Sequence, residues 1–103
     1  MKNLQDILYG VRLTTLEGQS NRSIGKIEFD SRKIEKGDLF VAIKGELSDG
    51  HEFIEKAIES GAVAVLCEEM PENRKDITYV QTTCTKQALA IVAANYYLSL
   101  IHI

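Results

Sequence analysis

Two short polar stretches hold the residue types that could do chemistry. In Asp30-Ser31-Arg32, a hydroxyl that both donates and accepts stands beside a guanidinium able to fork onto a phosphate or carboxylate. The same residues suit a purely structural use, with Asp30 closing an Asx-turn and Arg32 forming a surface ion pair. The second stretch is Gly45-Glu46-Leu47-Ser48-Asp49-Gly50, small and polar, just before a helix start. Backbone N–H groups and the helix dipole favour an anion there. Against that, Glu46 and Asp49 bring negative charge to the same place, and Asp49 can serve simply as a cap. Composition leaves both stretches slightly on the structural side.

Other chemical arrangements are missing. No phosphate loop ends in Gly-Lys-Ser/Thr, and no dinucleotide-binding glycine triplet occurs. His51 and His102 are the only histidines, and neither has metal-ligand spacing with Cys67 or Cys84. A Cys–His nucleophilic pair cannot be assembled from proximity in sequence. No catalytic residue and no metal ligand is assigned. Phe29, Phe40 and Phe53 lie on apolar faces and read as core, while Arg74 and Lys86 read as solvated.

The segment from Lys26 to Leu66 must position both stretches. Lys26–Asp30 alternates, Ile27 and Phe29 facing one side and Lys26 and Glu28 the other, as in a half-covered strand. Lys36-Gly37-Asp38 makes a turn, and Leu39–Ile43 is a continuous apolar run suited to a strand buried on both faces. A helix follows, with Asp49 and Glu52 at capping-box spacing and an apolar stripe of Phe53, Ile54, Ala57 and Ile58. Glu52 and Lys56 stand in the favourable i,i+4 order for an ion pair. Gly61 stops the helix, and Ala62–Leu66 is a second buried strand, so residues 38–66 form a βαβ unit, expected right-handed. Both polar stretches then follow strands of one sheet, at the edge where α/β proteins bind ligands.

Around this unit, residues 3–9 read as a short helix capped by Asn3 and stopped by Gly10. Arg12–Gly25 reads as polar and irregular, and the brief run Leu13–Leu16 is not counted as a strand. Glu68–Asp76 is a charged loop, Ile77–Val80 a short strand, and Thr85–Tyr97 an amphipathic helix with Thr85 as its candidate cap. The fold class is therefore α/β: a small sheet with flanking helices.

The 103 residues suffice for one domain with a single core. A 45% hydrophobic and 26% charged composition is ordinary for a globular protein, and a net charge of -3 gives no reason to expect nucleic acid or an anionic membrane. The opening MKNLQDILYG lacks a signal peptide's apolar run, and no stretch approaches a membrane span. The two cysteines then read as thiols in a reducing cytoplasm.

Taken in order and spacing, DSR, GDLFVAIKG, DGHEFI and AIESGAVAV resemble the N-terminal domain of the Mur ligases over residues 2–97. These are cytoplasmic enzymes that build the peptide of bacterial peptidoglycan. LQDILYG and QALAIVAANYY look most like the branch that adds the third amino acid, meso-diaminopimelate or L-lysine, to UDP-N-acetylmuramoyl-L-alanyl-D-glutamate. The branch that acts next in the pathway shares the central motifs and is the nearest rival.

The resemblance implies that this domain holds the UDP-sugar end of that substrate, while a central domain binds ATP and Mg2+ and a third binds the incoming amino acid. It implies activation of the D-glutamate carboxylate as an acyl phosphate, then attack by an amino group. By the same resemblance Ser31 is the most secure substrate contact, and Phe29 contacts the nucleotide mainly through its backbone. Glu46, Leu47 and Ser48 meet the nucleotide-sugar from the other side. After Asn95-Tyr96-Tyr97 the family continues toward its ATP-binding loop, whereas Leu98–Ile103 does not match and resembles translated adapter sequence. The expectation is a domain over 1–97 with a foreign tail over 98–103, a fragment that binds no ATP and is inactive alone. The alternatives are a stand-alone nucleotide-sugar binding module and a structural remnant.

Overall fold

In the computed structural model, residues 2–44, 49–72 and 75–97 are described. In chain order they form β1 (Lys2–Asn3), α1 (Leu4–Ile7), β2 (Leu13–Glu17), β3 (Ser23–Ile24), β4 (Ile27–Glu28), β5 (Leu39–Val41), α2 (Ile54–Glu59), β6 (Ala64–Cys67), β7 (Thr78–Thr82) and α3 (Thr85–Tyr97). Two 3-10 turns, Ser31–Lys33 and Gly50–Phe53, stand after β4 and before α2. The main sheet has the order β2-β7-β6-β5-β4. Strands β4 to β7 are mutually parallel, and β2 closes one edge antiparallel to β7. A two-stranded pair, β1 with β3, lies apart.

The apolar runs explain the centre of this sheet. Leu39-Phe40-Val41 and Ala64-Val65-Leu66-Cys67 are buried at every position and pair in register, Phe40 opposite Val65. Alternation sends Leu39, Val41, Leu66 and Val80 to one face, beneath α1 and α3. Phe40, Val65, Cys67 and Tyr79 go to the other, beneath α2. Burying a side chain such as Phe40 completely stabilises by about 1.5–3 kcal/mol. The βαβ unit over residues 38–66 is therefore present as expected, covered on both sides.

Gly61 ends α2 with φ +118, and a Cβ there would come within 2.6 Å of the Lys36 Cα. Glycine is required twice over, for the backbone angle and for the close approach. The far helix α3 has the expected bounds and buries Ala88, Val92 and Tyr96. Its C-terminal end is tied to the start of the chain: Asn95 Nδ2 donates to the carbonyls of Ile7 (2.7 Å) and Tyr9 (2.6 Å), and the Tyr96 hydroxyl donates to the Gly25 carbonyl.

Several expectations are corrected. Leu13–Glu17 is a strand, because β7 supplies its hydrogen bonds although its side chains are mostly exposed. The alternation of Lys26–Asp30 is cut short: β4 ends at Glu28, and Phe29 is 60% exposed rather than core. Phe53 is likewise 39% exposed, since it belongs to the 3-10 turn and not to the buried stripe of α2. Phe40 alone of the three is core.

The helix α1 covers only Leu4–Ile7, although Asn3 does cap it by accepting from Gln5 N. Thr85 is not a cap. It is buried, and its N–H and hydroxyl both donate to Glu68 Oε2, at 2.9 and 3.0 Å. A carboxylate from another loop thus satisfies the start of α3. No disulfide joins Cys67 and Cys84; the Cys67 thiol is buried and donates toward the Val80 carbonyl.

Candidate functional site

The Asp30-Ser31-Arg32 stretch leaves the carboxyl end of β4 as a single 3-10 turn. Asp30 Oδ1 accepts from Arg32 N at 3.0 Å, and Lys33 N donates to the Asp30 carbonyl at 3.0 Å. Behind it, Glu28 Oε1 accepts from the N–H groups of Phe29 and Asp30, at 3.1 and 3.2 Å. On the far side Lys26 Nζ donates to the Lys33 carbonyl at 2.9 Å and pairs with Glu35 at 3.0 Å. The Glu35 hydrogen bond raises the Lys26 pKa, keeping this clamp charged. The turn is fixed by its own neighbours.

Arg32 is spent within the turn. Its Nε and Nη2 donate to the two Asp30 oxygens at 3.1 and 3.0 Å, a bidentate pair. The Arg32 guanidinium and backbone N–H hold the Asp30 carboxyl well below the usual range, at about 2. For Asp30 and Arg32 the Asx-turn and ion-pair reading is the observed one. Ser31 differs: it is buried, and no hydrogen bond ties its hydroxyl to another described residue. That hydroxyl belongs to a residue lining an open cavity of about 390 Å³, whose other walls are Asp30, Arg32, Phe53 and Lys56.

Phe53 and Lys56 were not among the expected site residues. Lys56 was matched to Glu52 by their i,i+4 spacing, yet no ion pair forms between them and the ammonium side chain lines the cavity instead. The readable signal was the i,i+3 spacing of an aromatic, Phe53, at the end of the 3-10 turn and a cation, Lys56, in the helix α2 that continues it.

The second stretch is only partly visible: Glu46, Leu47 and Ser48, expected substrate contacts, lie outside the described residues. Its end is Asp49, whose Oδ1 accepts from His51 N (3.0 Å) and faces His51 Nδ1 (2.6 Å). The expected capping box is replaced by this Asp49–His51 contact, because the first turn is 3-10. Hydrogen bonds from the His51 N–H groups lower the Asp49 pKa.

His51 Nε2 accepts from the N–H groups of Glu68 (2.9 Å) and Glu69 (3.2 Å). An acceptor at Nε2 places the ring proton on Nδ1, directed at Asp49. Glu68 then continues the chain of contacts to Thr85, whose N–H lowers the Glu68 pKa. His51 is thus a brace between the loop after β5, the end of β6 and the start of α3. The Asp49 carboxylate caps this end, as its reading as a simple cap has it.

The polar turn stands at the carboxyl edge of a mostly parallel sheet, the edge at which α/β folds hold their ligands. A family model described as "Mur ligase family, catalytic domain" matches residues 23–97. The chain belongs to the Mur ligase family and corresponds to its N-terminal domain.

Among its curated relatives is the UDP-N-acetylmuramoyl-L-alanyl-D-glutamate–2,6-diaminopimelate ligase of Cytophaga hutchinsonii, 43% identical over 96 residues, covering 91% of this chain and 20% of that protein. The ligase of the same name from Clostridium tetani is 41% identical over 97 residues, with the same coverage. A crystal structure of MurF from Acinetobacter baumannii superposes with a TM-score of 0.71 at 28% identity, covering 90% of this chain and 20% of that one. MurF of Thermotoga maritima, in complex with ADP, gives 0.61 and covers 17% of its length. The chain spans about a fifth of the length of the curated relatives it matches.

The residues present do not fit ATP with magnesium. Among the described residues no three His, Cys, Asp or Glu side chains are grouped to hold a metal ion, and the sequence has no Gly-Lys-Ser/Thr phosphate loop. Among the described residues no helix is long and apolar enough to cross a membrane.

Proposed function

We propose that residues 1–97 form the substrate-holding domain of a cytoplasmic Mur ligase, binding the UDP-N-acetylmuramoyl end of UDP-N-acetylmuramoyl-L-alanyl-D-glutamate. The observation that carries this is Ser31: buried, set on a rigid turn at the carboxyl edge of the sheet, with a hydroxyl unengaged among the described residues and a cavity beside it. A hydroxyl in that position can accept from or donate to a ligand without giving up a hydrogen bond to any described residue. Phe29 N–H already donates to Glu28, so any backbone contact from Phe29 falls to its carbonyl. Glu46, Leu47 and Ser48 approach the nucleotide-sugar from the other side.

The parent ligase, in this reading, adds meso-diaminopimelate as third amino acid using ATP and Mg2+ held elsewhere. Identities of 43% and 41% to ligases named for that amino acid, against 28% to MurF, favour this branch over the next one in the pathway. The residues present bind and orient one end of the substrate; they perform no step of the ligation. Titrating the chain with UDP-N-acetylmuramoyl-L-alanyl-D-glutamate should perturb amide signals around Ser31 and Phe53. Unchanged spectra at millimolar ligand would sink the proposal.

A further inference from the structure

Resting on the nucleotide-sugar reading above, we propose that Lys56 is the cation that meets the ligand's diphosphate and Phe53 the apolar wall beside it, with Arg32 excluded from that role. Arg32 is the obvious phosphate partner from sequence, but its forked donors are taken by Asp30. The same carboxylate also caps the turn through Arg32 N, so the guanidinium's partner is fixed in place beside it. Within the cavity the charges of Asp30 and Arg32 cancel, which leaves the single positive charge of Lys56. Its ammonium makes no ion pair among the described residues, although Glu52 stands four residues earlier. An ammonium on a flexible stem, with no ion pair among the described residues, is a suitable point charge for a diphosphate.

Phe53 lies three residues before Lys56, on the same wall, and keeps 39% of its surface exposed. A ring left open beside a cavity of about 390 Å³ offers a flat apolar face to a base or sugar. Ser31 lines the same cavity from the 3-10 turn. Among the described residues the cavity therefore supplies one hydroxyl, one cation without an ion pair and one aromatic face, a set matched to a nucleoside diphosphate rather than to a neutral sugar.

The test is calorimetric titration of the 103-residue chain with UDP and with uridine, for wild type, Lys56→Met, Lys56→Arg and Phe53→Ala. Lys56→Met should weaken UDP about threefold to tenfold, leave uridine unchanged and flatten the salt dependence of UDP binding, with Lys56→Arg restoring most of it. Phe53→Ala should weaken both ligands. Equal UDP affinity for wild type and Lys56→Met would overturn the assignment while leaving the nucleotide-sugar reading intact. No binding of UDP to wild type would remove both. Melting curves separate either result from a loss of fold.

Discussion

The ends of two neighbouring strands, β4 and β5, are built on opposite plans. After β4, every bond that shapes the Asp30–Lys33 turn comes from within about eight residues along the chain, and its carboxylate and guanidinium face water. After β5, the bonds are distant: His51 joins Asp49 to Glu68 and Glu69, and Glu68 joins Thr85. A turn that supports itself can present a hydroxyl to a ligand without the rest of the fold depending on it. A brace of long-range bonds does the reverse, holding two helices and a strand end while exposing little.

That contrast is open to direct attack. The largest effect should come from His51→Ala, which removes an acceptor from two backbone N–H groups and a donor from Asp49. We expect a loss of about 2–4 kcal/mol, read as a fall in the melting temperature of roughly 10 °C or more. A loss under about 0.5 kcal/mol would mean that the brace is ornamental and the comparison false. Next, Ser31→Ala should weaken substrate by about 0.5–1.5 kcal/mol while the melting temperature stays put. Collapse of the fold instead would make the two strand ends alike.

The smallest effect concerns the Asp30 carboxyl, which should titrate near 2 by carbon-detected NMR, and should rise toward its ordinary value of 3.8 in Arg32→Ala. Its folded value lies below its unfolded one, so its contribution is present above about pH 4 and fades as pH falls toward 2. A midpoint unmoved by Arg32→Ala would show that the turn is held by something other than this pair.

Sequence made the centre of the molecule legible and the connections less so. Buried apolar runs at 39–41 and 64–67, the glycine stop at 61 and the helix at 85–97 are local signals, and each was readable. Strand β2 was not, because its exposed side chains carry little apolar pattern and its existence depends on β7, some sixty residues away. Phe29 and Phe53 misled for a related reason: alternation and helical spacing hold only while the strand or helix lasts, and both elements stop short of these rings. At the site, family resemblance pointed to Ser31, but only geometry reveals that Arg32 is occupied and that Lys56 is not.

The clasp between the two ends of the chain has a consequence for how the molecule is made. Helix α1, four residues long, is far below the roughly 12–15 residues at which an isolated helix begins to persist in water. Its neighbours are the partners at the other end: Asn95 holds the Ile7 and Tyr9 carbonyls, and Val92 and Tyr96 share its core. Residues 4–9 therefore gain these partners only once residues 92–96 are folded against them. The contacts that hold α1 are long-range ones, so its order depends on the docking of α3 rather than on its own sequence.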